Sequence, residues 1–442
     1  MKKKFLLFAC ISIIVLSAGC NSSDIDDKAA ESDSQITQTQ PVEITETVPV
    51  TEISTDCQTS SEIVSESQKV QNNAASLVSK YSESQLPDFV KQIDWSEEMV
   101  VNNNEEFIEY INKNAAEFRT DIPVILAGEC SDDTLDLDFA SDENGILAVQ
   151  FHSADLSYDN IKGVYALINV GYYPSAYIIN AYKTGDASAL DSDNLAVYNK
   201  AVDFLENKLD KNAADIVKEK QIHDYICDMV TYYTNDNDEY TYDNIPRYRT
   251  ATGAFLDGSA NCMGYTDSFY MLCKMAGFEI GKVSGDEAMK HIWNVITLDN
   301  KKYVVDVTWD DDGYQNSSGN NSNNRYTYFN AALDVISQEY RYDSDNYLMK
   351  QVVQTTDENY FYGVNNSDFG YMTNSYDEFY NKIKQLIEDG ETSIYIACKN
   401  NVVAGDTNDM ANKIFERIDG NISLSGSFTT ISGYSFAYIS VE

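Results

Sequence analysis

Basic residues are scarce in this 442-residue chain: 31 Lys and Arg stand against 71 Asp and Glu, a formal charge of −40. The shortage excludes nucleic-acid binding by bulk electrostatics, because phosphate needs a basic face. It also argues against docking on an anionic membrane through a polybasic surface. Histidine is scarcer still, with only His152, His223 and His291, so any imidazole chemistry must use one of these. No C-x-x-C or H-E-x-x-H spacing occurs, which argues against a zinc site. The D-x-D-x-D-G calcium-loop spacing with its closing glutamate is missing too. Asp310-Asp311-Asp312-Gly313 and Asp236-Asn237-Asp238 therefore read as surface acid clusters. No metal and no cofactor is expected. Past the first twenty residues no apolar run reaches the roughly 18 residues a bilayer-spanning helix needs. Core-forming residues are not lacking, at 43% hydrophobic and 12% aromatic. A wholly disordered chain is excluded, and the length suggests two or three domains.

The N-terminus reads as an address. Lys2, Lys3 and Lys4 precede a short apolar stretch from Phe5 to Leu16, and Leu16-Ser17-Ala18-Gly19-Cys20 follows. Small residues before a cysteine resemble a bacterial lipobox. The resemblance implies a lipoprotein signal peptide at 1–19, cleavage before Cys20 and lipid attachment to its sulfur. The chain would then sit on the extracytoplasmic face of the cell membrane, anchored by that lipid. From Asn21 to Lys80 there is no Phe, Trp or Tyr, and acids outnumber lysines. Such a segment buries too little apolar surface to offset its ordering entropy. Residues 20–85 are expected to form a disordered tether, in which a 60-residue coil spans roughly 45 Å. Cys57 lies within it and has no expected structural role.

Two later segments look alike. Asn103 stands three positions before Glu106, and Ser375 three before Glu378, which is capping-box spacing. Phe107 with Ile111, and Phe379 with Ile383, place apolar residues four apart on one helix face. Each helix leads to a β-rich run, Val124–Ala127 or Ile394–Ala397, and each unit is expected to end in a Tyr-rich strand, Tyr177-Ile178-Ile179 or Tyr438–Val441. We read a duplicated small α/β unit at 86–185 and 366–442, suited to structure or to recognition of a surface partner. Between them, Leu195–Leu209 and Ile216–Val230 carry the apolar stripes of amphipathic helices.

Chemistry concentrates at Cys262, His291 and Asp306. The turn cluster Asp257–Asn261 gives way at Cys262 to a helical pattern, Tyr265, Phe269, Leu272 and Met275, with Gly277 as its stop. Cys262 should therefore lie at a helix N-terminus, where open N–H groups and the dipole favour a thiolate and could donate to an oxyanion. His152 is expected on the outer face of a strand, and His223 beside the apolar stripe of its helix. His291 opens one strand of a hairpin whose second strand, Lys301–Thr308, contains Asp306. A two-residue loop at Asp299-Asn300 sets His291 opposite Thr308 and Asp306 opposite Trp293, all on one face. His291 and Asp306 become diagonal neighbours roughly 7–8 Å apart at Cα. A buried Asp among valines needs a partner, and an imidazole N–H supplies one. Cys262 and Cys273 are separated by roughly 16 Å of helix rise and cannot pair. Pairing among Cys130, Cys227, Cys273 and Cys398 is left open.

The stretch from about 214 to 313 resembles the transglutaminase-like superfamily, whose core is papain-like. The resemblance rests on Gly258-Ser259-Ala260-Asn261-Cys262-Met263-Gly264-Tyr265, on His291-Ile292-Trp293-Asn294 and on Tyr303-Val304-Val305-Asp306-Val307-Thr308-Trp309-Asp310-Asp311, preceded by Ile222-His223-Asp224-Tyr225-Ile226. It implies Cys262 as nucleophile, His291 as base and Asp306 as the orienting acid, with Trp293 and Asn294 as neighbours. It does not fix the reaction, since the superfamily holds cross-linkers, peptidases, amidases and inactive members.

The expected fold class is α+β: a transglutaminase-like core at 190–365 flanked by two small α/β repeat units. The expected function is cleavage or acyl transfer at amide bonds of extracellular peptides or proteins, with hydrolysis favoured because no amine site is visible. The rival is a catalytically silent surface binding or adhesion module that uses the same fold as a scaffold.

Overall fold

A computed structural model describes residues 74–127, 145–158, 161–235, 244–286, 288–311, 324–344, 346, 348–355, 360–363, 368–399, 403–418 and 422–442. Cys20, Cys57, Cys130, Asp236–Asp238 and Asp312-Gly313 lie outside these residues. The fold is α+β, with three four-stranded sheets. Among the described residues no helix is long and apolar enough to cross a membrane.

The first sheet is built from β1 (Val100–Val101), β2 (Asp121–Leu126), β3 (Ile146–Tyr158) and β4 (Ile161–Tyr172), in the order β1-β2-β4-β3. Helix α1 (Asn104–Ala115) packs Phe107 and Ile111 on one face of it. Residues 74–99 cover Ile125, Ala154, Leu156 and Tyr165 on the other. Residues 74–85, inside the segment read as tether, are therefore part of the folded structure. Ala74 and Leu77 are buried, and Tyr165 donates its hydroxyl to the Ala74 carbonyl. A second correction concerns Tyr177-Ile178-Ile179. These residues lie in helix α2 (Pro174–Thr184), not a strand. Pro174 at the first helical position and the left-handed Gly185 at the end set its limits.

Helices α3 (Ser192–Asn207) and α4 (Asp215–Met229) bury the expected stripes. They pack around α5 (Cys262–Ala276), which is buried on almost every side. Before α5, β5 (Thr231–Tyr232) pairs with β6 (Ser259–Ala260). The central sheet follows, with β7 (Ile280–Ser284), β8 (Ile292–Leu298), β9 (Lys301–Val305) and β10 (Phe329–Ala331) in the order β10-β9-β8-β7. The β8–β9 hairpin has the expected register, Leu298 opposite Lys301 through to Asn294 opposite Val305. Asp299 and Asn300 both take positive φ (50° and 62°), as a primed two-residue turn demands. The second strand stops at Val305, three residues short of the expected end at Thr308. Asp306 instead caps a four-residue helix, α6 (Val307–Asp310).

The last sheet comprises β11 (Tyr371–Thr373), β12 (Ser393–Cys398), β13 (Leu424–Ile431) and β14 (Tyr434–Val441), with helices α7 (Tyr376–Glu388) and α8 (Thr407–Phe415). Its order, β11-β12-β14-β13, matches the first sheet strand for strand, with the same parallel and antiparallel pairings. The caps agree as well. Asn103 and Ser375 accept the Glu106 and Glu378 N–H groups, and each Glu carboxylate accepts an N–H one residue before the cap, at Asn102 and Asn374. The side of this sheet away from α7 joins the central core through Ala397, Ile431 and Phe436.

Candidate active site

Cys262 is the first residue of α5, as its turn-then-helix context predicts. Asn261 caps the helix, its carboxamide oxygen accepting from Met263 N (3.1 Å) and Gly264 N (3.4 Å). That cap occupies N–H groups that would otherwise be open to an oxyanion. The Gly258–Asn261 stretch is held by β6 and by Asn261 N–H donation to the Tyr248 carbonyl. Gly264 is required by this close approach, since a Cβ there would lie 2.6 Å from the Ala260 Cβ and 2.7 Å from the Tyr248 oxygen.

The start of β8 lies against the first turn of α5. Thr266 donates its hydroxyl to the Ile292 carbonyl at 3.0 Å, and Ile292 shares a buried cluster with Cys262 and Met263. His291, immediately before Ile292, is brought to the thiol end of α5 in this way. Its Nε2 lies 2.5 Å from Asp306 Oδ2. Asp306 divides its carboxylate: Oδ1 accepts from Trp309 N at 3.1 Å, and Oδ2 also accepts the Tyr340 hydroxyl at 2.5 Å. Burial, then Asp306 itself, holds the Tyr340 phenol well above its ordinary pKa, so it remains a donor. With Asp306 on Nε2, Nδ1 is the ring nitrogen left to act on a thiol or a substrate. The indole of Trp309 stacks on the imidazole at 4.7 Å and 9°, and Trp293 lies beside it at 6.0 Å. The ring is thus fixed by a carboxylate on one nitrogen and by flanking aromatic faces.

Trp293 stands beside the His291 ring, and Asn294, of opposite parity, lies on the other face of β8. It donates to the Gly281 carbonyl of β7. Tyr340 was missed, because its contact spans 34 residues and nothing local to it signals a carboxylate partner. The acids after Trp309 are also corrected. Asp310 and Asp311 are buried, not a surface cluster. Asp310 accepts Tyr328 N at 2.8 Å and faces His223 Nε2 at 3.4 Å, and Asp311 accepts the Tyr265 hydroxyl. Their partners come from elements distant in sequence, which a local charge run cannot show. His152 lies half-buried on β3 near Phe89, away from this chemistry.

Cys262 is fully buried and His291 is 3% exposed. Leu147 and Tyr173 of the first unit belong to the same cluster as Cys262 and Ile292. Tyr173 is itself held down: the ammonium of Lys282 sits 3.4 Å from its ring centroid and 2.7 Å from Asp267 on α5. Ser175 donates to the same carboxylate oxygen at 2.5 Å, and Ala251 N donates to the other. A buried pair satisfied this fully is costly to break. Cys227, Cys273 and Cys398 are buried thiols too. Among the described residues no group of three His, Cys, Asp or Glu side chains could hold a metal ion.

Residues 198–307 match the transglutaminase-like superfamily. The chain matches no curated protein. Solved structures it matches include one named as a TGase, at 13% identity and TM-score 0.22, covering 47% of this chain and 58% of that one. Another is a Cytophaga hutchinsonii protein named “putative cysteine protease”, at 12% identity and TM-score 0.20, covering 37% of this chain and 65% of that one. A third, named “putative protease”, comes from Parabacteroides distasonis, at 8% identity and TM-score 0.21, covering 73% of this chain and 65% of that one. This chain thus spans less than two thirds of each of these structures.

Proposed function

We propose that this chain, which carries a transglutaminase-like domain at residues 198–307, is a thiol enzyme acting on amide bonds of extracellular peptides or proteins, anchored to the outer face of the membrane by lipid on Cys20. The observation that carries the chemistry is the Asp306–His291 contact at 2.5 Å, set beside a helix that starts at Cys262. Asp306 orients the ring through Nε2, so Nδ1 takes the Cys262 proton. The thiolate attacks the amide carbonyl carbon, and the tetrahedral adduct collapses as the C–N bond breaks. The proton on His291 leaves with the amine. Water, giving its proton to His291, then attacks the thioester, releases the acid and restores the thiol. Hydrolysis is favoured over transfer to an amine, since water is the default acceptor.

A second reading has its own observation. The thiol is sealed, as it would be in a silent surface binding module. One measurement separates the two readings: alkylation of Cys262 in the full chain across pH 4.5 to 8.5, followed by peptide mass, in wild type and in His291→Ala. Rapid modification below pH 7 that disappears in the variant supports the thiolate–imidazolium pair. A wild-type Cys262 that stays protected throughout, or reacts as an ordinary thiol, removes the nucleophile and favours the binding module.

A further inference from the structure

A second buried histidine faces the back of the short helix that carries Asp306. Helix α6 has four residues, too few to be stable alone, since helix nucleation is unfavourable. One side of it serves the site: Asp306 at its cap meets His291 and Tyr340, and Trp309 stacks on the same imidazole. The other side meets α4. There Asp310 Oδ2 lies 3.4 Å from His223 Nε2, and the Cys227 thiol, one turn further along α4, reaches the Val307 carbonyl at 3.9 Å. His223 is fully buried, with Phe329 edge-on to its ring at 4.9 Å. Its other nitrogen lies 3.2 Å from Asp224 Oδ1, and Asp224 is fixed in turn by Lys220 at 2.9 Å and by the Tyr326 hydroxyl at 2.8 Å. The Asp310 N–H donates to the Asp306 carbonyl at 3.0 Å, so a shift of Asp310 moves the residue that caps the helix.

We propose that His223 is a positioning residue for the acyl-transfer site: through Asp310 it braces α6 from behind and so holds Asp306 and Trp309 where they aim His291. The proposal rests on the function proposed above, but it concerns geometry that can be read without turnover. His223 touches no substrate in this scheme. It acts because α6 has contacts on two sides, and the inner contact fixes the outer one. Burying a charged partner that serves only packing would be costly, whereas an enclosed charge contact at 3.4 Å tethers a four-residue helix that cannot hold itself.

The test uses the full chain labelled with 15N-histidine, which gives signals from three side chains only. The His291 ring proton that Asp306 accepts is assigned by its loss in His291→Ala. His223→Gln and Asp310→Asn are then compared with wild type for that resonance, for the pH profile of Cys262 alkylation, and for melting temperature. Asp310→Asn keeps an acceptor for the Tyr328 N–H, and so provides a folded variant should His223→Gln lose stability. We expect the His291 resonance to shift and broaden in both. Cys262 alkylation at pH 6 should fall by about tenfold, the lower end of what a mis-set acid–base group costs, and KM for any substrate found should hold while kcat falls. Folded variants with the wild-type resonance and wild-type alkylation profile would overturn the brace. A resonance that responds to His223 while wild-type Cys262 reacts as an ordinary thiol upholds the brace and sinks the acyl-transfer reading instead.

Discussion

Two histidine–aspartate contacts stand back to back on α6, and they differ in almost everything but composition. The outer one, His291–Asp306, is short at 2.5 Å, faces stacked indoles and lies beside the start of α5. The inner one, His223–Asp310, is longer at 3.4 Å and fully enclosed. Burial pushes the Asp310 carboxyl up to about 7, even with His223 beside it. Burial opposes charge on His223, yet Cys227, Asp224 and Asp310 together raise its pKa well above the usual value. On the proposed function the same residue pair serves chemistry where one ring nitrogen is turned to a carboxylate, and braces a helix where both nitrogens face carboxylates. What surrounds the pair decides its use.

Asp306→Asn should widen that difference most. It retains the shape of the cap but presents the wrong hydrogen-bonding group to Nε2, and amide turnover should fall by roughly 10³–10⁴-fold. A full-chain variant with wild-type melting and undiminished turnover would remove Asp306 from the chemistry. Tyr340→Phe is the next step down. It withdraws one charge-assisted bond from Asp306 Oδ2 and leaves the His291 contact, so a loss of about tenfold in kcat is expected. An effect on KM alone would assign Tyr340 to binding instead.

Glu219 sharpens the inner side of the comparison. It lies one turn before His223 on α4 and is fully buried, and burial raises its carboxyl to about 8 despite the Asn330 amide that bonds it. An ordinary glutamate titrates near 4.5. Between these values the folded chain keeps a proton that the unfolded chain releases. This contribution to stability is therefore fully present below about pH 4.5 and declines as pH rises towards 8. Glu219→Gln removes the decline and can donate to the buried Asn330 oxygen, which lacks a partner. The variant should be on the order of 2 kcal/mol more stable at pH 7, with little gain at pH 5. Urea unfolding at the two pH values checks this, and an equal change at both would mean that the carboxyl does not titrate in that window.

Much of the outer pair was legible in the sequence, and almost none of the inner. Asp299-Asn300 suits a two-residue turn, and with that loop length the hairpin places Asp306 near His291 from sequence alone, whereas an odd loop length would set them on opposite faces. Asn261, Cys262 and Gly277 likewise mark the limits of a helix by residue type alone. What failed were readings that depended on distant partners. Asp310 and Asp311 looked like surface charge because their partners lie on α4, α5 and β10's approach, far away in sequence. The valine run to Val307 promised a strand, but the Asp306 side chain competes for the Trp309 N–H and turns the backbone into a cap. Pro174 and Gly185 did carry a local helix signal, and the β-branched and aromatic residues between them obscured it.

The smallest expected effect concerns the cover over the outer pair, which the inner pair does not need. Tyr173 and Leu147 reach the Cys262 cluster from the first α/β unit, and Lys282 with Asp267 fixes Tyr173 in place. On the acyl-transfer reading a substrate carbonyl would meet the thiol only when that cover gives way. Tyr173→Ala removes the ring while leaving Ser175 and the Lys282–Asp267 pair, so the unit should stay docked and open more often. Cys262 alkylation at pH 7 should rise by roughly threefold to tenfold, in line with local opening that loses one buried aromatic contact. Cys227, enclosed behind α6, serves as the internal control and should not change. If both thiols gain reactivity together, the whole domain has loosened and the cover is not a separate element. If Cys262 alone gains, access to the thiol is governed by the first unit, and the sealed state is one a partner or substrate can relieve.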